Sequence, residues 1–175
     1  MAKSKLKKLT VELIPETDAE GVPTPAYVIL RPLVEKHHRR LADAKIALAW
    51  NLAWKADKDG AVKLGKAKKA TELDRLMHGY DLIVLLNRGY WGNFSEAQRA
   101  ALIDHELCHF EVVRDKAGDP KTDERGRTCY RIRKHDVEEF QEIVARHGLW
   151  KSDLEQFVEA ARDAAPLFET VNACE

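Results

Sequence analysis

The stretch Asp104-His105-Glu106-Leu107-Cys108-His109-Phe110 decides how this chain is read. It contains the pattern H-E-x-x-H. Residues four apart on a helix lie one above the other, so His105 and His109 share one face. Two imidazoles placed in this way can hold a single zinc ion. Glu106 between them then faces the metal's open position as a proton acceptor. The flanks support a helix. Ser95-Glu96-Ala97-Gln98 reads as a capping box, S-x-x-Q. Ala100, Ile103, Leu107 and Phe110 recur at helical spacing as an apolar stripe. Leu102, His105, Glu106 and His109 fall on another face, turned away from that stripe. The pattern predicts a helix from Ser95 to about Arg114. Cys108 sits at an x position and reads as a small packing residue.

Upstream of the motif, Tyr80 to Leu86 is a short apolar run that predicts a buried strand, followed by a loop from Asn87 to Asn93. A strand leading so directly into the motif helix suits a sheet edge beside a cleft, where an extended peptide can add to it. Ile46, Leu48, Trp50, Leu52 and Trp54 alternate with Ala47, Ala49, Asn51 and Ala53. This predicts a strand with a thick core on one face and a close-packed helix on the other. A turn from Asp57 to Gly60 lets Ala61 to about Ala67 return as a second strand. Thr71 caps a short helix to Met77 that Gly79 ends. Nearer the start, Leu9 to Ile14 reads as a strand and Glu16 to Pro25 as a loop. Pro32 suits the first turn of a helix to about Leu41, on which His37 and His38 read as surface or packing residues. Beyond the motif, residues 115–128 form a polar loop. Helices follow from Lys134 to His147, buried through Val137, Phe140 and Val144, and from Ser152 to Pro166, buried through Leu154, Phe157, Val158 and Ala161.

The expected fold is α+β: a small, mostly antiparallel sheet packed on the motif helix, with further C-terminal helices. The 175 residues predict one domain, 1–175, large enough for a real core, with a disordered basic start over 1–8. The formal net charge is zero, so the chain as a whole is no basic nucleic-acid binder. Local basic clusters do exist. They comprise Lys3, Lys5, Lys7 and Lys8; Lys63, Lys66, Lys68 and Lys69; and Arg125, Arg127, Arg131, Arg133 and Lys134. They are read as solvated surface before nucleic-acid contact. No secretory leader and no membrane-span run is visible. Cys108, Cys129 and Cys174 are an odd number without secreted-type spacing, which fits a reducing cytoplasm. Oligomeric state is not legible.

A catalytic zinc takes three protein ligands and a water, so a third ligand is needed. Val112 stands where the long H-E-x-x-H-x-x-G-x-x-H form has glycine, which excludes that form. The downstream candidates are His135, Asp136, Glu138, Glu139, Glu142 and His147. His135 is favoured, at the start of its predicted helix beside the polar loop, with Glu138 or Glu139 as alternatives. Tyr130, Arg131 or Arg133 could steady a developing oxyanion. Asp104 either orients a ligand histidine or faces solvent.

His105-Glu106-Leu107-Cys108-His109, followed by Lys134-His135-Asp136-Val137-Glu138-Glu139-Phe140, resembles the SprT-like and WLM zinc metallopeptidases. With Tyr80 to Asn87 and Ala101 to Asp104 added, the chain looks more closely like the phage metallopeptidase family, from about Leu33 to Trp150. That resemblance implies a minimal zincin fold and a zinc site of His105, His109 and His135 with Glu106 as base. It also implies hydrolysis of a protein or peptide substrate in a bacterial host's cytoplasm, with DNA-associated proteins among the candidate targets. The competing expectation is a binding module for nucleic acid or protein, its zinc site structural or vestigial, with Cys129 the nearest residue to close it. A third is an interaction protein with no metal.

Overall fold

The computed structural model describes residues 10–137, 141–149 and 152–164. Internal contacts divide the chain into two units, Met1–Arg133 and Lys134–Glu175. The first unit carries a four-stranded sheet. Its spatial order is β1 (Val11–Leu13), β2 (Ile46–Asn51), β4 (Leu82–Asn87) and β3 (Gly65–Lys69). The central β2–β4 pair is parallel and both flanking pairs are antiparallel, so the sheet is mostly antiparallel as expected.

Register explains the core. Ile46 stands opposite Leu82, Leu48 opposite Val84 and Trp50 opposite Leu86, so the large residues of both strands share a face. Onto that face pack Ala26, Tyr27 and Leu30 of α1 (Pro25–His37), together with Ile103 and Leu107 of α4 (Glu96–Cys108). The other face departs from expectation. Among the described residues no helix closes this face; Ala47 and Ala49 floor an apolar hollow lined by Val11, Leu13, Tyr80, Ile83 and Leu85. Their small side chains leave this hollow open.

Three corrections concern the strands. The Leu82–Asn87 strand is central, with β2 and β3 on its two sides, and is therefore no sheet edge. Its nearly continuous apolar run gives a buried face, Leu82, Val84 and Leu86, and a half-buried one, Ile83 and Leu85. The edges are β1 and β3. In addition, β3 pairs with β4 and does not return along β2. The third correction concerns the motif helix, which stops at Cys108. Phe110–Val112 leaves it as β5 and pairs with β6 (Tyr130–Ile132). Two causes act together. Aromatic and β-branched residues in Phe110-Glu111-Val112-Val113 favour a strand, and the Arg40 guanidinium donates to the carbonyls of Leu107 at 3.3 Å and Phe110 at 3.1 Å. Those bonds satisfy carbonyls that a longer helix would have used.

The helices also shift. Pro25, rather than Pro32, occupies the first turn of α1, and Pro32 lies inside it. The helix ends at His37, ahead of a 3-10 turn at Arg39–Leu41. Thr71 and Gly79 close α2 (Glu72–His78) as expected. The predicted Asn87–Asn93 loop contains a helical turn, α3 (Arg88–Trp91). Its start is fixed by the Asn87 side chain, which accepts from the Gly89 N–H at 3.0 Å. The same amide donates to the Lys63 carbonyl at 2.9 Å and anchors the entry into β3.

Residues 115–128 continue the β5–β6 hairpin. Val113 donates to Cys129 O at 2.8 Å, Lys121 to Val113 O at 2.7 Å and Cys129 to Lys121 O at 2.8 Å. Asp123 organises its tip. The carboxylate accepts from Arg127 Nε at 2.8 Å and from the backbone N–H groups of Arg125 and Arg127. The Arg127 hydrogen bonds hold the Asp123 pKa down to about 2. A carboxyl depressed on folding stabilises above its unfolded pKa of about 3.9, and that contribution is lost as pH falls through about 2. Between pH 5 and 2, Asp123→Asn should lose less thermal stability than wild type. Parallel melting curves would show the charge to be unimportant.

The second unit holds α5 (Gln141–His147) and α6 (Ser152–Arg162). Gly148 ends α5 in a left-handed conformation and donates to Val144 O at 2.9 Å. His135 lies ahead of α5 in non-helical chain and not on the predicted helix. Leu154 is buried as expected, whereas Phe157 is 59% exposed. Met1–Lys8, Glu138, Glu139, Phe140 and Pro166 lie outside the described residues. No helix among the described residues is long and apolar enough to cross a membrane.

Candidate functional site

The predicted capping box forms in full. The Gln98 N–H donates to Ser95 Oγ at 3.2 Å, and the Ser95 N–H to Gln98 Oε1 at 2.9 Å. It starts α4, and the wholly buried Ile103 and Leu107 set the helix's rotation. His105 then stands exposed on the helix and His109 half-buried at its C-cap. Their ring centroids are 5.1 Å apart, and they offer ring nitrogens within 4.8 Å of each other.

His109 is oriented by the hairpin. Its Nδ1 lies 2.8 Å from the Arg133 carbonyl, and the Arg133 N–H returns a bond to the His109 carbonyl at 2.7 Å. A carbonyl only accepts, so Nδ1 carries a hydrogen, and the neutral ring has its lone pair on Nε2. That is the tautomer a metal requires, fixed by the backbone partner that ligand histidines commonly have. His135 follows two residues later and is exposed.

Glu106 differs from expectation. It is turned inward and only 4% exposed. Its carboxylate faces the outer edge of β3. Leu64 and Ala70 bond to the β4 side through Asn87 and Asp81, so by alternation Gly65 and Ala67 direct their backbone groups outward. The Ala67 N–H donates to Glu106. Gly65 gives the carboxylate its room, since a Cβ there would lie 2.3 Å from Oε1. Burial pushes the Glu106 pKa up, against the opposing pull of His109, the Ala67 N–H and Lys63. A cation held by the histidines would add to that pull. A raised pKa of this kind is what a carboxyl needs if it is both to accept and to return a proton.

The remaining candidates are placed elsewhere. Tyr130 is buried in the core and its hydroxyl bonds the Thr128 side chain, the surroundings of a packing residue. Arg131 pairs with Glu111 at 2.8 Å. Asp104 neither faces solvent alone nor orients a ligand histidine; it binds the buried His38. Cys108 is exposed, not packed. Among the described residues, Cys129 joins no group of metal-ligating side chains. Sequence reasoning missed Gly65 and His38. An isolated glycine in a strand is a recognised sign of close approach and could have flagged the first. The imidazole donors fit a divalent metal of zinc's preference, and His109 is held with Nε2 turned to the ligand role.

A family described as "Putative phage metallopeptidase" matches residues 23–162. No curated protein and no solved structure matches the chain.

Proposed function

The chain belongs to this phage metallopeptidase family, and from that premise we propose that it hydrolyses peptide bonds at a zinc ion held by His105, His109 and His135, with Glu106 as general base. The observation that carries the reading is the buried Glu106 carboxylate set between two histidines, one of them locked with Nε2 as its donor. The bound ion would polarise the scissile carbonyl and acidify a water. Glu106 accepts the proton of the attacking water and returns it to the leaving amine. A peptide in extended form would lie along the outer edge of β3, beside the Glu106 carboxylate seated there, because β4 is enclosed on both sides.

The basic clusters give less support to a nucleic-acid module. Arg127 pairs with Asp123, Arg131 with Glu111 and Lys68 with Asp74, so much of the charge is met locally.

Metal analysis tests the ligand set. Wild type should carry about one zinc per chain more than His105→Ala or His135→Ala, and both variants should lose peptide hydrolysis. Undiminished zinc in His135→Ala would pass the third position to Glu138 or Glu139. Equal zinc in wild type and His105→Ala would end the reading.

A further inference from the structure

A second group of metal-ligating side chains lies beside the histidine pair, and the reading above does not use it. His38 ends α1 and is 3% exposed. Its Nε2 lies 2.5 Å from Asp104 Oδ1. Asp104 and Cys108 are four apart on α4 and so face the same way, one position before His105 and His109 respectively. One donor atom from each of His38, Asp104 and Cys108 lies within 4.8 Å of the other two. They open onto a cleft of about 570 Å³ bounded by His37, Arg40 and Phe110.

We propose that His38, Asp104 and Cys108 form a second metal site, selective for thiophilic divalent ions of the zinc and cadmium class. The set combines sulfur, imidazole and carboxylate, which suits zinc and its relatives and not magnesium or calcium. A Cys–His–Asp relay for nucleophilic catalysis does not fit. Such a relay needs the cysteine and the aspartate on opposite ring nitrogens, yet Asp104 takes Nε2 and the buried Nδ1 has no partner. An ion on Nε2 would take the place of the hydrogen that faces Asp104, the neutral ring then carrying its hydrogen on Nδ1, and Cys108 would release its thiol proton to solvent. Tetrahedral zinc spaces its donors about 3.5 Å apart, so Nε2 and Oδ1, 2.5 Å apart, would part by about 1 Å, while Cys108 Sγ already lies within 4.8 Å of both. Asp104 and Cys108 have the exposure to move while His38 stays fixed in the core. Arg40, committed to the carbonyls of Leu107 and Phe110, has its place beside the site already set. A thiolate and a carboxylate match a divalent charge, and the fourth position stays open to solvent. The filled site would fasten the end of α1 to α4.

Cobalt(II) titration of the metal-free, full-length protein tests this, because only a sulfur ligand gives a near-ultraviolet thiolate-to-cobalt charge-transfer band. Wild type should show the band. Cys108→Ser should abolish it, and Asp104→Asn should weaken cobalt binding there by about tenfold or more. Cys129→Ser and His105→Ala should keep it. His105→Ala also separates the two sites: failure of the histidine reading would leave visible cobalt absorption unchanged in that variant, with the sulfur band standing. No band in wild type, a band that survives Cys108→Ser, undiminished binding in Asp104→Asn, or loss of the band in His105→Ala would each overturn the proposal. Circular dichroism confirms that every variant is folded.

Discussion

Glu106→Gln should keep its metal and its fold yet hydrolyse peptides roughly a hundred- to ten-thousand-fold more slowly than wild type, the usual worth of a positioned proton-transfer group. Glutamine matches glutamate in shape, and its amide oxygen can still accept from the Ala67 N–H. What it cannot do is take a proton. The variant should also be no less stable than wild type when both are stripped of metal. Its side chain is 4% exposed, and burial there works against the charged form of glutamate. Reduced activity with raised or equal melting temperature is the signature of a site kept at a cost to stability. Undiminished turnover in Glu106→Gln would remove this residue from the chemistry.

The second large effect is expected at a residue with no reactive group. An added Cβ at Gly65 would lie 2.3 Å from Oε1, 2.8 Å from Cδ and 2.9 Å from Cγ of Glu106. These atoms belong to a side chain that can swing, so Gly65→Ala should still fold, with a cost of about 1–3 kcal/mol for overpacking. The carboxylate, however, must leave its seat on the β3 edge. A misplacement of this size costs roughly a hundredfold in rate. Metal content should be unchanged, because neither ligand histidine on α4 is touched. Gly92→Ala is the matching control: nothing lies within 4 Å of its added Cβ, and its backbone is ordinary right-handed helix. Equal activity in Gly65→Ala and Gly92→Ala would show that the carboxylate's position there is immaterial.

What could be read from the sequence was local. Ser95 and Gln98 are three residues apart, and their mutual bonds follow from that spacing alone. His105 and His109 followed from the period of the helix. What could not be read depends on distant parts of the chain. The motif helix ends at Cys108 partly because Arg40, about 70 residues earlier, takes its last carbonyls. His38 reads as a surface or packing residue, and its sequence neighbours do not show that α4 brings Asp104 to it across 66 positions. The helical stripe of Ala100, Ile103, Leu107 and Phe110 turns Glu106 to another face, and nothing in that local spacing tells of the room at Gly65 that receives it. The apolar run of β4 announced a buried strand but could not say which neighbours would flank it. Pro25 and Pro32 both suit a first turn, and only the extended Thr24 ahead of the helix decides between them.

The paired bonds between His109 and Arg133 tie two equilibria together. One bond fixes the imidazole and the other closes the base of the hairpin. An ion that binds His109 in this tautomer therefore binds the closed hairpin better than an open one, and thermodynamic linkage makes the preference reciprocal. A ligand present at about a thousandfold over its dissociation constant lends about 4 kcal/mol to the form it selects. On that scale, ion loading and hairpin closure would be one cooperative event, with the 25 residues from His109 to Arg133 as the tension arm of a clasp whose catch is a single imidazole.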